Sequence, residues 1–102
     1  MSDRLEQLTK LYAAEPQDPF LTYGIALEHA KAQRLDKAIM WLDKTLGLDD
    51  SYCYAYFQKG KMLSEKGEEA AAQAVLKQGI EAAKACGDEK AENELGELLT
   101  NL

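Results

Sequence analysis

The sequence predicts an all-α protein made of antiparallel helix–turn–helix units that repeat every 34 residues. Three observations carry this. Alanine, leucine, glutamate and lysine dominate, with one valine (Val75) and two prolines (Pro16, Pro19), a composition that favours helix over strand. The apolar pattern recurs at one fixed shift. Breaker and cap residues fall between the apolar segments at the places a hairpin of helices needs them.

The shift of 34 residues places Phe20 on Tyr54, Tyr23 on Phe57, Ala26 on Gly60, Ala38 on Ala72, Leu42 on Leu76 and Leu46 on Ile80. These agree in size or polarity class, and scattered helical composition does not concentrate so at one register. The elements follow in order. Asp18 is a candidate N-cap with Pro19 at the first helical position, opening a helix over 19–33. Asp36 is the expected cap of a second helix, 37–48, whose inward face is Ala38, Ile39, Leu42 and Leu46. Asp50 or Ser51 is expected to cap a third, 52–66, which Gly67 ends in the left-handed conformation. A fourth runs over 69–86 with Ala72, Leu76 and Ile80 inward. Gly87 breaks the chain and Asp88 caps a last helix through Leu99.

The ends fit the same register. Shifted by 34, Leu5 falls on Ile39, Leu8 on Leu42, Tyr12 on Leu46 and Pro16 on Asp50. Residues 3–16 therefore read as the second helix of a half repeat. The last helix carries Leu95, Leu98, Leu99 and Leu102 against Glu92, Glu94 and Glu97, as expected of a capping helix that closes a stack. The domain expectation is one domain over 1–102: half repeat 3–16, repeats 19–50 and 53–86, capping helix 88–101. Because Ala26 stands where the next unit has Gly60, alanine at position 60 is expected to be tolerated.

Charge and composition narrow the function classes. A formal net charge of −6 disfavours a nucleic acid or an anionic membrane and favours basic or neutral partner segments. No apolar run reaches the ~20 residues of a membrane span, and residues 1–10 lack the apolar core of a signal peptide. The expectation is a cytoplasmic protein with reduced thiols at Cys53 and Cys86. Two separated cysteines and one histidine make no zinc site, and neither a phosphate loop nor a nucleophile elbow is present. No catalytic residue, metal ligand or cofactor is expected.

The residues that recur resemble the tetratricopeptide repeat. The second unit offers Tyr56, Lys59-Gly60, Leu63, Ala72 and Leu76 at the spacing of that pattern; the first offers Thr22, Ile25-Ala26, His29, Ala38 and Leu42. Thr22, Lys59 and His29 depart from the usual large, leucine and aromatic residues, and the closing proline occurs only at Pro16. The resemblance implies a short bacterial-type protein or domain of this family, stacked as a short right-handed superhelix. It implies a protein–protein interaction module and not an enzyme.

By the same resemblance the inner surface is lined by the first helix of each unit: Phe20, Tyr23, Gly24, Leu27 and Lys31, then Tyr54, Phe57, Gln58, Lys61 and Glu65. The expected partner-binding residues are Phe20, Tyr23, Leu27, Tyr54, Phe57, Gln58 and Lys61. Their four aromatics would make a groove for a peptide or partner protein. The competing readings are that the half repeat, the capping helix or a second copy covers them. A homodimer or larger homo-oligomer using the same surface is the alternative function. A carboxylate clamp, as in chaperone adaptors, is excluded: its positions fall on Phe20, Gly24, Tyr54, Gln58, Asp88 and Glu92, none of them basic. His29 reads as a packed histidine. Met40 and Trp41 read as the outer side of their helix or its contact to the next unit.

Overall fold

A computed structural model describes residues 2–102, and among them it contains six helices and no strand. They are α1 (Asp3–Ala14), α2 (Pro19–Lys31), α3 (Leu35–Leu48), α4 (Cys53–Glu65), α5 (Glu69–Cys86) and α6 (Glu89–Thr100). The helices gather into two compact units, α1–α3 ending at Asp49 and α4–α6 beginning at Asp50. The repeat is visible in the boundaries: moved by 34 residues, Pro19–Lys31 becomes Cys53–Glu65, and Leu35 becomes Glu69. Helix α5 then outlasts its counterpart by a turn.

Within the first unit α2 packs on both α1 and α3; within the second, α4, α5 and α6 all touch. Leu5, Leu8, Leu21 and Ile25 form the first core, with Tyr12 and Trp41 packed against it. Cys53, Leu76, Ala83, Ala91 and Leu95 form the second, with Tyr54, Tyr56, Phe57, Ile80, Leu98, Leu99 and Leu102 around it. Trp41 thus turns into its own unit, meeting Tyr12 edge-on at 5.1 Å between ring centroids. Met40 beside it stays on the outside.

The caps divide into two kinds. Asp18 accepts a hydrogen bond from the Phe20 N–H at 2.9 Å and Asp88 one from Ala91 at 3.0 Å, both as the sequence leads one to expect. Asp36 does not cap α3: it lies inside the first turn, and Arg34 holds the N-cap position without a side-chain bond. Nor do Asp50 or Ser51 cap α4, where Tyr52 occupies that place. The α2–α3 turn shows why a cap is dispensable. The Arg34 N–H donates back to the His29 carbonyl at 3.0 Å, while the Arg34 carbonyl accepts from Ala38 at 3.0 Å. One residue closes α2 and opens α3 with backbone alone. Glu68 does the same between α4 and α5, bonding Leu63 at 2.9 Å and Ala72 at 2.9 Å.

Both turns need a left-handed residue at the same register. Gly67 supplies it with φ 83°; Gln33 supplies it with φ 61°, although it carries a Cβ.

Two packing slots recur at the repeat shift and are filled differently. In the first unit Thr22 and Thr45 are fully buried with their hydroxyl oxygens 2.7 Å apart. Thr22 also faces the Pro19 carbonyl at 3.0 Å and Thr45 the Trp41 carbonyl at 2.9 Å. Each hydroxyl has one proton, so one donates to the other and the second donates to its own helix. Shifted by 34, the slot holds Tyr56 and Gly79. A Cβ on Gly79 would stand 2.6 Å from the Tyr56 Cβ. The other slot pairs Ala26 with Leu42 in the first unit and Gly60 with Leu76 in the second. Here the expectation that alanine is tolerated at 60 meets an obstacle, because Leu76 would have to shift. The alanine Cβ would lie 2.5 Å from one Leu76 methyl and 2.7 Å from Leu76 Cγ, and Leu76 is fully buried.

Candidate interaction surface

Helix α2 presents one apolar line outward. Phe20, Tyr23 and Leu27 follow at helical spacing, while Leu21, Ile25 and Ala26 turn into the core. Phe20 is 61% exposed, the most exposed large apolar side chain among the described residues. Tyr23 and Leu27 are half-buried. The Asp18 cap and Pro19 fix the start of this helix, so the Phe20 ring projects from a rigid end.

In the second unit Tyr54 and Phe57 sit one turn apart on α4, ring centroids 6.3 Å apart and planes tilted by 60°. Both are half-buried and pack on the core that α5 and α6 complete. A hydrogen bond with Glu94, helped by burial, pushes the Tyr54 phenol up to about 12. Phe57 and Leu98 floor a shallow depression walled by Glu94, Glu97 and Asn101. Gln58 is half-buried on α4, and Lys61 is exposed. Phe20, Tyr23 and Leu27 therefore share one helix face of the first unit, and Tyr54 and Phe57 one face of the second, partly sheltered by α6.

Two polar clusters flank α2. Glu28 is buried, taking a bond from Ser2 Oγ at 3.1 Å, one from Lys31 Nζ at 3.1 Å, and an ion pair with Arg4 at 3.6 Å. Lys31 first, with Ser2 and Arg4, holds its carboxyl below the usual carboxylate range against the opposing effect of burial. Ser2 meanwhile accepts from the Leu5 N–H at 3.0 Å and caps α1, so one hydroxyl links two helices. Periodicity gives no signal for this: a lone glutamate near the end of an apolar helix reads as solvated. His29 accepts a hydrogen bond at Nδ1 from Arg34 Nε at 3.0 Å. Burial first, then Arg34 and Lys37, lowers its pKa. The lone pair a general base would use is engaged, so His29 is a packed neutral imidazole.

Sequence reasoning also passed over Leu11, which is 55% exposed and borders a shallow hollow with Ala14, Glu15, Asp18 and Leu21. Among the described residues no group of three or more potential ligands is placed to hold a metal ion, and no helix is long and apolar enough to cross a membrane.

No family model and no curated protein matches the chain. Solved structures do. A crystal structure of a tetratricopeptide repeat domain protein from Salinibacter ruber is 28% identical, with a TM-score of 0.77 over 82% of this chain and 93% of that one. A solution structure of a tetratricopeptide repeat domain protein from the same organism is 29% identical, TM-score 0.80, over 85% and 88%. The chain has the tetratricopeptide repeat fold. A solution structure of a protein from Bordetella parapertussis matches 99% of this chain and 88% of its own, at 27% identity and a TM-score of 0.85. In repeat terms α2 and α4 are first helices, α3 and α5 second helices. The fold is that of a repeat module for protein interaction.

Proposed function

We propose that this tetratricopeptide chain is a non-catalytic, cytoplasmic module that holds a peptide or partner protein on the aromatic faces of its first helices. The contact residues are Phe20, Tyr23 and Leu27 on α2, and Tyr54, Phe57, Gln58 and Lys61 on α4. The observation that carries the reading is the Phe20 ring, 61% exposed at a capped, rigid helix end with two half-buried apolar side chains in line behind it. A stiff aromatic gives large contact area at low entropic cost, and a helix does not need it there for its own stability. The net charge of −6 and the Glu94 and Glu97 carboxylates beside Phe57 favour a partner segment that is basic or neutral.

A photoreactive phenylalanine analogue at position 20 tests this, with the same analogue at the exposed Lys84 as control. Position 20 should crosslink a partner protein in cells and Lys84 should not, and Phe20→Ala should weaken recovery of that partner while the melting temperature stays put. Light scattering on the purified chain then tells a foreign partner from a second copy. Equal crosslinking at both positions, or a Phe20→Ala chain that melts like a core truncation, refutes the reading.

A further inference from the structure

We propose that Cys53 and Cys86 form an oxidative modification site, closed into an intramolecular disulfide by a small disulfide of the glutathione class. Cys53 is the first residue of α4 and Cys86 the last of α5. The two helices pack together, and their ends bring the sulfurs to 3.9 Å. Both are free thiols. A disulfide needs about 2 Å between sulfurs, so the pair lies about 2 Å short of bonding. Cys86 is exposed at the end of its helix, just before the Gly87 turn, and rotation of that side chain is the cheapest way to close the gap.

The two sulfurs have different roles because their surroundings differ. Cys53 is buried and its Sγ faces the Ser51 carbonyl at 3.3 Å. Burial, and then Cys86 beside it, pushes that thiol up to about 11, so a bulky reagent neither reaches it nor finds it ionised. Cys86 faces solvent and meets the oxidant first. Its thiolate attacks one sulfur of the small disulfide, forming a mixed disulfide and releasing one small thiol. The Cys53 sulfur, after giving up its proton, attacks the Cys86 sulfur and displaces the second small thiol. Two protein thiols are oxidised to one disulfide, and one small disulfide is reduced to two thiols, with both protons carried by the products. The nearness of Cys53 makes the second step intramolecular, which is what favours ring closure over a lasting mixed disulfide. The bond ties the start of α4 to the end of α5, next to Tyr54, and closes the whole α4–α5 hairpin into a loop.

The test equilibrates the full chain in glutathione redox buffers and reads intact mass, non-reducing gel mobility and the urea midpoint. The wild type should lose two hydrogens in mass, remain a single chain on the gel, and unfold at higher urea, because the closed loop restricts the unfolded chain. Reduction should reverse all three. Cys53→Ser should stop at a glutathione adduct on Cys86, and Cys86→Ser should stay unmodified while folded. A wild-type chain that keeps the adduct at equilibrium, forms covalent dimers, or closes the bond without raising the urea midpoint overturns the proposal.

Discussion

Alanine at Gly79 and alanine at Gly96 should move stability in opposite directions, although both glycines lie inside helices of the same unit. At Gly96 an added Cβ meets nothing within 4 Å. Gly96→Ala then gains only helix propensity, about 0.5–1 kcal/mol. At Gly79 the same Cβ lands 2.6 Å from the Tyr56 Cβ and 3.1 Å from a Leu95 methyl. Ordinary contact starts at 3.4 Å, so 3.4 − 2.6 leaves a shortfall of about 0.8 Å. The obstacle at Tyr56 is the stem of the side chain, which no rotamer change removes, so α4 and α5 must separate. Overpacking of this kind costs about 1–3 kcal/mol, and the propensity gain offsets up to about 1. We expect Gly79→Ala to lose about 1–2 kcal/mol net and the two variants to melt on the order of 10 °C apart. Far-UV circular dichroism during urea and thermal unfolding measures this. If Gly79→Ala is as stabilising as Gly96→Ala, the close approach of α4 and α5 at Tyr56 is wrong.

Gln33→Gly should stabilise the chain by about 0.5–1 kcal/mol, since relief of left-handed strain exceeds the entropy glycine adds to the unfolded state; a lowered melting temperature would contradict the turn geometry. Thr45→Val should cost about 0.5–1.5 kcal/mol, because it removes one buried hydrogen bond and leaves Thr22 its Pro19 carbonyl, and the urea midpoint reads that loss directly. His29 should make the chain acid-sensitive. Its folded pKa lies below the ordinary 6.5, so its contribution is full above pH 6.5 and is lost as pH falls through that value toward the folded pKa. His29→Gln should flatten that part of the melting-temperature profile, and an unchanged slope would assign the acid loss to other groups.

Much of this fold was legible because a repeat writes its pattern more than once. The register of Ala38 with Ala72 and Leu42 with Leu76 located the helix pairs, and Asp18 and Asp88 announced their caps. Asp36 misled because a cap depends on the dihedral angles of one residue, and the backbone of Arg34 had already closed that turn. Gln33 hid a left-handed position that only glycine advertises. Spacing grouped Phe20 with Tyr23 on one face of α2, and the family resemblance said which way that face turns. The partial cover of Tyr54 and Phe57 did not, because periodicity says which side of a helix is apolar and not which neighbour rests on it. Gly60 is a related case: Ala26 showed that its own slot holds a methyl group, but periodicity does not report how near the Leu76 side chain comes to the second slot.

The Thr22–Thr45 and Tyr56–Gly79 slots carry a consequence for how such a chain changes over generations. Each position, considered separately, accepts two residues in this molecule. Crosswise combination is another matter: tyrosine opposite threonine exceeds the available volume, and threonine opposite glycine leaves a void and a hydroxyl without its neighbour. A route from one filling to the other must pass through one of these intermediates, and the roomy one is the less damaging because a gap can partly collapse while a stem-to-stem clash cannot. Shrinking the tyrosine must therefore come before enlarging the glycine. Averaging the two repeats column by column, as one does to derive an idealised unit, would discard this order and pair residues that have never had to fit.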